Sequence, residues 1–276
     1  MHPILIKFFG LPVTTYGVLM AVAFTAVLKI CLDRAKKTGM DREVVLNVFL
    51  IIFAGSMIGA RGLYVVENAD FFKQYPKEIV MVNHGGLSYF GGFGFALAVV
   101  AIYIHKLKKE FLQFADLFMR ALPLGQAIGR IGCYCTGCCY GIIHEGIWGV
   151  VFPRGSTVFA DQVSSRWLPS FSRFSLPVIP TQLLSSFLDV LLFCVLIVVD
   201  DRKKVPGVTF FSYLVGYGIL RFCVEFLRGD SPLLPLFHLG WTLYQFIAVG
   251  IVFAGLAGLV VLLHGMKDMR RESGSG

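Results

Sequence analysis

Apolar stretches of roughly 20 residues recur along the whole chain, and they decide what it can fold into. As a helix, a stretch of that length crosses the ~30 Å hydrocarbon core of a bilayer. The predicted spans lie near residues 12–32, 44–66, 86–105, 114–132, 180–200, 207–226 and 239–264. Hydrophobic residues make up 56% of the chain and charged residues only 15%, which excludes an ordinary soluble domain. The sequence therefore predicts an all-α polytopic membrane protein of about seven transmembrane helices, organised as a single membrane domain over residues 1–276.

The positions of lysine and arginine in the loops predict the orientation of the chain. Basic clusters follow the first, third, fifth and seventh predicted spans, whereas the loops on the other side carry fewer basic residues. We therefore expect the N-terminus outside and the C-terminus in the cytoplasm. The net charge of +8 lies in these clusters and not on one basic face. It predicts contact with the lipid bilayer and no nucleic-acid partner.

Three of the arginines inside predicted spans lie near the outer ends of helices. Arg61, Arg130 and Arg221 occupy the second, fourth and sixth spans. A basic side chain at the bilayer centre costs about 2.5–3.5 kcal/mol, so each needs a compensating partner or a function. A guanidinium grips phosphate through two parallel hydrogen bonds, which predicts an anion site at this depth. The alternative is three separate interfacial arginines bonded to loop carbonyls.

The surroundings of Arg221 favour a built site. Tyr217, Arg221 and Glu225 recur every four residues and so share one helix face. A carboxylate one turn away partly neutralises a buried arginine and orients it. The alternative interpretation is a structural ion pair that only makes Arg221 tolerable.

The segment after Arg130 is rich in glycine and cysteine. Its glycines at 129, 132, 137 and 141 allow sharp turns or a close approach of backbone to a ligand. Its cysteines at 133, 135, 138 and 139 raise the possibility of a metal knuckle. Their spacing lacks the separated pairs of common zinc sites, so we expect no metal and no organic cofactor.

A second glycine-rich segment precedes the third predicted span. It contains two glycine pairs around hydroxyl-bearing residues, namely Gly85, Gly86, Ser88, Tyr89, Gly91 and Gly92. Non-helical backbone at membrane depth is tolerated where it lines a cavity, which predicts ligand-binding backbone here. A plain glycine-rich helix-packing contact is the alternative.

Taken together, these segments resemble the prolipoprotein diacylglyceryl transferase family. The resemblance extends through nearly the whole chain and follows the family's order. Its motifs are Thr15-Tyr16-Gly17, Gly59-Ala60-Arg61, the run Gly85 to Gly92, Gly129-Arg130-Ile131-Gly132 with Gly137 and Gly141, Pro180-Thr181-Gln182-Leu183, and Tyr217-Gly218 to Arg221, Glu225 and Arg228.

The resemblance implies a multi-pass enzyme of the bacterial inner (cytoplasmic) membrane, with residues 133–179 as a small extracytoplasmic head. Such an enzyme moves the diacylglyceryl group of phosphatidylglycerol to the lipobox cysteine thiol in the signal peptide of a prolipoprotein, and it releases glycerol phosphate. We expect Arg130 and Arg221 to hold the phosphate, with Glu225 orienting Arg221. Other expected substrate contacts are Tyr16, Arg61, Gly85, Gly86, Ser88, Tyr89, Gly91, Gly92, Gly132, Gly137, Gly141, Gln182 and Tyr217.

The chain departs from the family pattern where protons are handled. The family's histidine position is occupied by Phe90, and two polar positions of the cysteine segment are Cys133 and Cys138. Phenylalanine cannot accept a proton. His84 is the first candidate to replace that histidine as a catalytic residue, and Tyr89 and Glu225 are others.

Two further functions stay open at this stage because of Phe90. One is transfer to a different acceptor, and the other is a non-catalytic protein that binds phosphatidylglycerol. A transporter is disfavoured because no internal repeat is visible and the polar residues gather at one interface.

Overall fold

The described chain is dominated by seven long helices. The computed structural model describes residues 4–8, 11–81, 86–231 and 240–273. Within them the long helices are α1 (Thr15–Thr38), α2 (Arg42–Glu67), α4 (Tyr89–Lys106), α5 (Phe111–Thr136), α7 (Thr181–Arg202), α8 (Val208–Glu225) and α9 (Leu243–Ser273). Each predicted span coincides with one of these helices, although the bounds move by several residues.

Five of the described helices are long and apolar enough to cross a bilayer. They are Thr15–Thr38, Arg42–Glu67, Thr181–Arg202, Val208–Glu225 and Leu243–Gly265, and a shorter apolar helix covers Gly91–Lys106. Helix α5 is not among the five. It carries Asp116, Arg120 and Arg130 along with an internal proline, Pro123. The prediction of a polytopic membrane protein is confirmed by these helices.

Short elements connect the long ones. Strands β1 (Ile4–Phe8) and β2 (Leu11–Thr14) form an antiparallel hairpin, which adds a two-stranded sheet that the sequence analysis did not predict. Helix α3 (Ala69–Gln74) and a 3₁₀ turn (Pro76–Val80) follow α2. Helix α6 (Thr157–Ser164) lies in the segment between α5 and α7.

The chain divides into two compact units, residues 28–114 and residues 1–27 with 115–276. In the first of these, α2 and α4 pack through glycines. A methyl group at Gly59 or Gly91 would overlap the backbone of the other helix, and one at Gly92 would lie 2.8 Å from the carbonyl oxygen of Ser56. Asn47 Nδ2 also donates to the hydroxyl of Tyr103 at 3.1 Å. Small residues allow this close approach of helices in a bilayer.

In the other unit, one end of α5, α7 and α8 is joined by buried charges. Asp116 is fully buried and accepts from Lys203 Nζ at 2.6 Å and from the backbone N–H groups of Gly207 and Phe210, each at 2.7 Å. Arg120, which has 13% of its side chain exposed, pairs with Asp200 at 2.6 Å. The charges in this apolar region are therefore compensated within the protein.

The segment between α5 and α7 has its own small apolar core. Phe152, Val158 and Val178 are fully buried there and pack with Tyr140. Isolated backbone bridges join Val178 to both Ile143 and Val150. The predicted head began at residue 133, but α5 continues to Thr136, so the non-helical backbone starts one turn later than expected.

Candidate active site

A cavity opens among helices α5, α7 and α8. It is lined by Arg130, Ser185, Leu188, Asp189, Tyr217, Leu220, Arg221 and Val224. Three of the predicted site residues, Arg130, Tyr217 and Arg221, therefore meet in one place. Among the other lining residues, Leu188, Leu220 and Val224 are apolar, and Ser185 and Asp189 are polar.

Arg130 has a guanidinium without a protein partner among the described residues. The side chain is half-buried, and it makes no hydrogen bond or ion pair within the described chain. Asp189 and Tyr217 lie within electrostatic range of it. A half-buried cation without a direct counter-ion is poised to bind an anionic group.

Arg221 is held from two sides. Its Nη2 atom lies 2.8 Å from Oε2 of Glu225, and its guanidinium carbon lies 4.9 Å from the ring centroid of Tyr244. The predicted Tyr217–Arg221–Glu225 face thus exists, with Glu225 orienting the arginine. The pair stabilises Arg221 structurally, and Arg221 also lines the cavity, so the two interpretations offered by the sequence are compatible.

Glu225 is the buried partner of Arg221. Its side chain is fully buried, and its Oε1 atom accepts a hydrogen bond from Thr242 Oγ1 at 2.9 Å. Gln245 Oε1 in turn accepts from the backbone N–H of Thr242 at 2.9 Å. Oε1 is therefore hydrogen-bonded and Oε2 is ion-paired with Arg221, which suits Glu225 to positioning that arginine.

Tyr16 and Gly132 are brought into contact. A methyl group at Gly132 would lie 2.9 Å from the Tyr16 ring, so glycine is what allows that ring to lie against α5. Gly17 N donates to Thr14 Oγ1 at 3.1 Å, which fixes the start of α1. Tyr217 stacks on Tyr213 with ring centroids 5.4 Å apart.

The loop after α5 is attached to the start of α7. Gly137 has a φ of +77°, and a methyl group at Gly141 would lie 2.7 Å from the carbonyl oxygens of Ile179 and Leu227. Gln182 Nε2 donates to the Cys138 carbonyl at 2.7 Å. These predicted residues therefore shape and anchor the loop, and the Oε1 atom of Gln182 is buried without a described partner.

Two charged residues of this region were not among the predicted site residues, although Arg228 was part of the family motif. Asp189 is 5% exposed and lines the cavity; a carboxylate inside a predicted span was the signal that could have found it. Arg228 donates to both carboxylate oxygens of Asp230, at 2.7 and 3.0 Å. Arg130 and Arg228 both lie within electrostatic range of Arg221, so Arg228 adds a third cation to this region.

The charges of this region shift the pKa values of groups that lie outside the helices. Burial lowers the pKa of Arg228, but Cys139 and Asp230 raise it by more, so the net pKa is raised. Hydrogen bonds from Cys133 and Cys138, together with Arg228 and Arg130, hold the pKa of Cys139 below its usual value. Burial raises the pKa of Asp230.

Arg61 lies in the unit formed by residues 28–114, and loop carbonyls surround its guanidinium. It donates to the carbonyl oxygens of Ile79 and Gly86, both at 2.9 Å, and to that of Glu78. Its guanidinium carbon also lies 5.2 Å from the ring centroid of Phe72. These contacts support the alternative in which Arg61 organises a loop, and its role in substrate binding stays a prediction.

The second glycine-rich segment lies in the same unit. Ser88 Oγ donates to Glu67 Oε1 at 3.3 Å. Gly86 has a φ of +78°, and a methyl group there would overlap the Tyr64 ring. Gly91 and Gly92 face α2, which is the helix-packing contact considered above. The predictions for His84, Gly85 and the side chain of Tyr89 lie outside the described residues.

Comparison with known proteins identifies a family that the chain matches. The family model described as "Prolipoprotein diacylglyceryl transferase" matches residues 3–261. A phosphatidylglycerol–prolipoprotein diacylglyceryl transferase of Clostridium tetani is 30% identical over 230 residues, covering 83% of this chain and 86% of the relative. A second such transferase, from Clostridium perfringens, is 28% identical and covers 99% of both chains. One from Finegoldia magna is 29% identical, covering 93% of this chain and 94% of the relative.

Proposed function

Because this chain belongs to the prolipoprotein diacylglyceryl transferase family, we propose that the cavity among α5, α7 and α8 is where its transfer reaction takes place. The protein is a membrane transferase that moves the diacylglyceryl group of phosphatidylglycerol to prolipoproteins, the activity that its relatives' names describe. The acceptor is the lipobox cysteine thiol, and glycerol phosphate is the leaving group.

The guanidinium of Arg130, which has no hydrogen-bond or ion-pair partner among the described residues, is the observation that carries this assignment. During transfer the bond from the glycerol carbon to the phosphate oxygen breaks, and negative charge collects on the departing phosphate. A fixed cation beside that oxygen stabilises the transition state more than the ground state. Arg130 supplies this cation, and Arg221, held by Glu225 at 2.8 Å, supplies the second.

We assign other residues around the cavity to the remaining parts of the substrate. Tyr217 offers a hydroxyl to the phosphate, and Tyr16 lies close to Gly132 on α5. We assign the hydroxyls of the departing glycerol to Asp189, because a buried carboxylate on the cavity wall is a strong acceptor for hydroxyl donors. Asp189 would thereby select phosphatidylglycerol over phospholipids without head-group hydroxyls.

The membrane arrangement is part of the same proposal. Helices α4 and α5 cross the bilayer with the five long apolar helices, the N-terminus lies outside, and the C-terminus lies in the cytoplasm. The buried pairing of Asp116, Arg120, Lys203 and Asp200 supports a spanning α5, because it compensates the charges that lower its hydropathy. The cavity would then open near the outer leaflet of the bacterial cytoplasmic membrane.

A transfer assay tests the function directly. The full-length protein in nanodiscs containing phosphatidylglycerol is incubated with a peptide bearing a lipobox cysteine. Mass spectrometry should detect the diacylglyceryl thioether, and glycerol phosphate should appear in equal amount. Lipid-bound, folded protein that yields neither product would overturn the assignment in favour of another acceptor or a purely lipid-binding role.

A further inference from the structure

Three thiols converge beside the proposed phosphate site. The Sγ atoms of Cys133, Cys138 and Cys139 all lie within 4.8 Å of one another, and all three side chains are half-buried. All three are free thiols. Cys133 follows Arg130 by three positions on α5, so the thiol cluster lies about one helical turn from the guanidinium that faces the cavity.

The backbone turns after α5 in a way that brings the three sulfur atoms together. Helix α5 ends at Thr136, Gly137 turns the chain with a φ of +77°, and Cys138 N donates to the Cys133 carbonyl at 3.2 Å. Cys139 has a φ of +59°, a left-handed conformation that is uncommon for a residue with a side chain and that gathers at functional sites.

Buried hydrogen bonds maintain this strained turn. Thr181 Oγ1 donates to the Cys139 carbonyl at 2.7 Å, and Gln182 Nε2 donates to the Cys138 carbonyl at the same distance. Thr181 is fully buried and Gln182 is 1% exposed. The two cysteine carbonyls are thus anchored to α7, and their side chains are left to face Cys133.

We propose that Cys133, Cys138 and Cys139 bind one thiophilic divalent cation of the zinc class. The sequence spacing argued against zinc because it lacks two separated cysteine pairs, but that pattern belongs to four-ligand structural sites. Catalytic zinc sites use three protein ligands and leave the fourth position open. The fold supplies three sulfur ligands from one short segment.

Charge balance supports the site. Three thiolates with one divalent cation carry a net charge of −1. Arg228 and Arg130 lie within electrostatic range of Cys139, and they offset that charge in a region of low dielectric. Arginines also favour the ionised sulfurs that a metal requires.

The open position suggests how the acceptor thiol is activated, and this step rests on the proposed transfer function. A lipobox thiol that coordinates the cation loses its proton, so no histidine is needed at the position of Phe90. The thiolate sulfur then forms the S–C bond while the C–O bond to phosphate breaks. The bonding electrons go to the phosphate oxygen, and the thiol's proton ends, through solvent, on the departing phosphate monoester.

Metal content tests the site without reference to activity. The full-length protein is purified in phosphatidylglycerol nanodiscs under reducing conditions, with Zn²⁺ supplied and then washed away. Elemental analysis should find about one zinc per chain. The variant with Cys133, Cys138 and Cys139 all replaced by Ser should bind none, whereas the matched variant with Ser at the other thiols of α5, α7 and α8 (Cys135, Cys194 and Cys223) should keep it.

Two results would overturn the metal site. One is zinc-free wild-type protein, particularly with mass spectrometry showing a disulfide within the cluster. The other is equal zinc in both triple variants. Thermal unfolding of each variant in the nanodisc shows whether a loss of metal reflects a loss of fold, and Cys138→Ser alone provides a milder substitution if the triple variant unfolds.

Replacing zinc with Co²⁺ tests the role in transfer. The sulfur-to-cobalt absorption bands should shift when the lipobox peptide is added, and the same peptide with Ser in place of its cysteine should leave them unchanged. A cobalt spectrum that neither peptide changes would overturn the activation step while leaving the metal site in place. If instead the peptide shifts the spectrum but no thioether forms, the transfer function fails and the site survives.

Discussion

Arg221 and Glu225 form an ion pair across one turn of α8, with Nη2 2.8 Å from Oε2 and the carboxylate side chain fully buried. Thr242 donates to the other carboxylate oxygen at 2.9 Å, and the Tyr244 ring centroid lies 4.9 Å from the guanidinium carbon. The orientation of Arg221 is therefore set by Glu225, Thr242 and Tyr244. The arginine therefore has two roles that mutation can separate. It compensates a buried charge, and it presents its remaining N–H groups to the cavity.

Arg221→Ala should lower both stability and activity. Removing one partner of a buried pair leaves the other charge uncompensated, which costs about 3–5 kcal/mol. The double variant Arg221→Ala, Glu225→Ala removes both charges and should regain most of that stability, yet it should stay inactive because the phosphate contact is gone. Thermal unfolding and the transfer assay on both variants check this. Activity that returns together with stability would assign Arg221 a purely structural role.

Arg130→Gln should lower activity without lowering stability. No described residue depends on Arg130 for a hydrogen bond or ion pair, so stability should be unchanged or slightly higher. Losing a transition-state charge contact typically costs 10²–10³ in rate, and we expect a fall in kcat of about that size. The matched control is Arg154→Gln, an exposed arginine of the segment before α7, which should turn over normally. Equal loss in the two variants would show a general charge effect.

Much of the helical framework was predictable from the sequence, for a physical reason. A helix that meets lipid must be apolar for about 20 residues, so the run over residues 180–200 marks α7 (Thr181–Arg202) almost to its ends. Helix α5 was also predicted, although its hydropathy is lowered by Asp116 and Arg120. Their partners, Lys203 and Asp200, come from a distant part of the chain, and no local pattern shows that pairing.

The site was predictable only where its residues share one helix. The spacing of Tyr217, Arg221 and Glu225 is local and predicted their common face correctly. The cysteine cluster depends on the left-handed turn at Cys139, which no spacing rule reveals. Arg61 was placed with the other arginines by its depth and its family motif. Its guanidinium contacts carbonyls of the loop near Ile79, which no pattern in the sequence indicated, and its role in substrate binding stays a prediction.

Asp189→Asn should alter the choice of lipid. If Asp189 accepts hydrogen bonds from the departing glycerol, losing the charge should reduce kcat/KM for phosphatidylglycerol by about 10- to 100-fold, because a hydrogen bond to a charged group contributes about 1.5–3 kcal/mol. Phosphatidylethanol has no head-group hydroxyl, so wild type and variant should use it at similar, low rates. Competition between the two lipids in mixed nanodiscs measures the ratio. The same loss with both lipids would place Asp189 outside head-group recognition.

Gly91→Ala should destabilise the protein through helix packing. A methyl group there would overlap the backbone of Gly59, so α2 and α4 would have to separate. Gly94→Ala on the same helix meets nothing within 4 Å and removes a flexible residue, which should stabilise α4 by up to about 1 kcal/mol. Thermal unfolding in nanodiscs should therefore move in opposite directions for the two variants. If Gly91→Ala unfolds normally but loses activity, Gly91 contacts substrate, as the sequence first suggested.

Asp116→Asn should weaken the buried charge cluster while leaving the transfer site intact. Asp116 accepts from Lys203 Nζ at 2.6 Å and from two backbone N–H groups at the start of α8, so an amide there loses an ion pair and offers a donor where only acceptors fit. We expect a loss of about 3 kcal/mol. The exposed Glu110→Gln serves as the control and should change stability little.

Asp116 and Arg130 are 14 positions apart on α5, about 20 Å along a helix. Asp116→Asn protein that stays folded at low temperature should therefore transfer the diacylglyceryl group at the wild-type rate. Measuring unfolding by heat and transfer well below the unfolding temperature separates the two effects. A slow but fully folded variant would mean that the charge cluster controls the geometry of Arg130 through the length of α5, and α5 would then be a coupling element between the two ends of the protein.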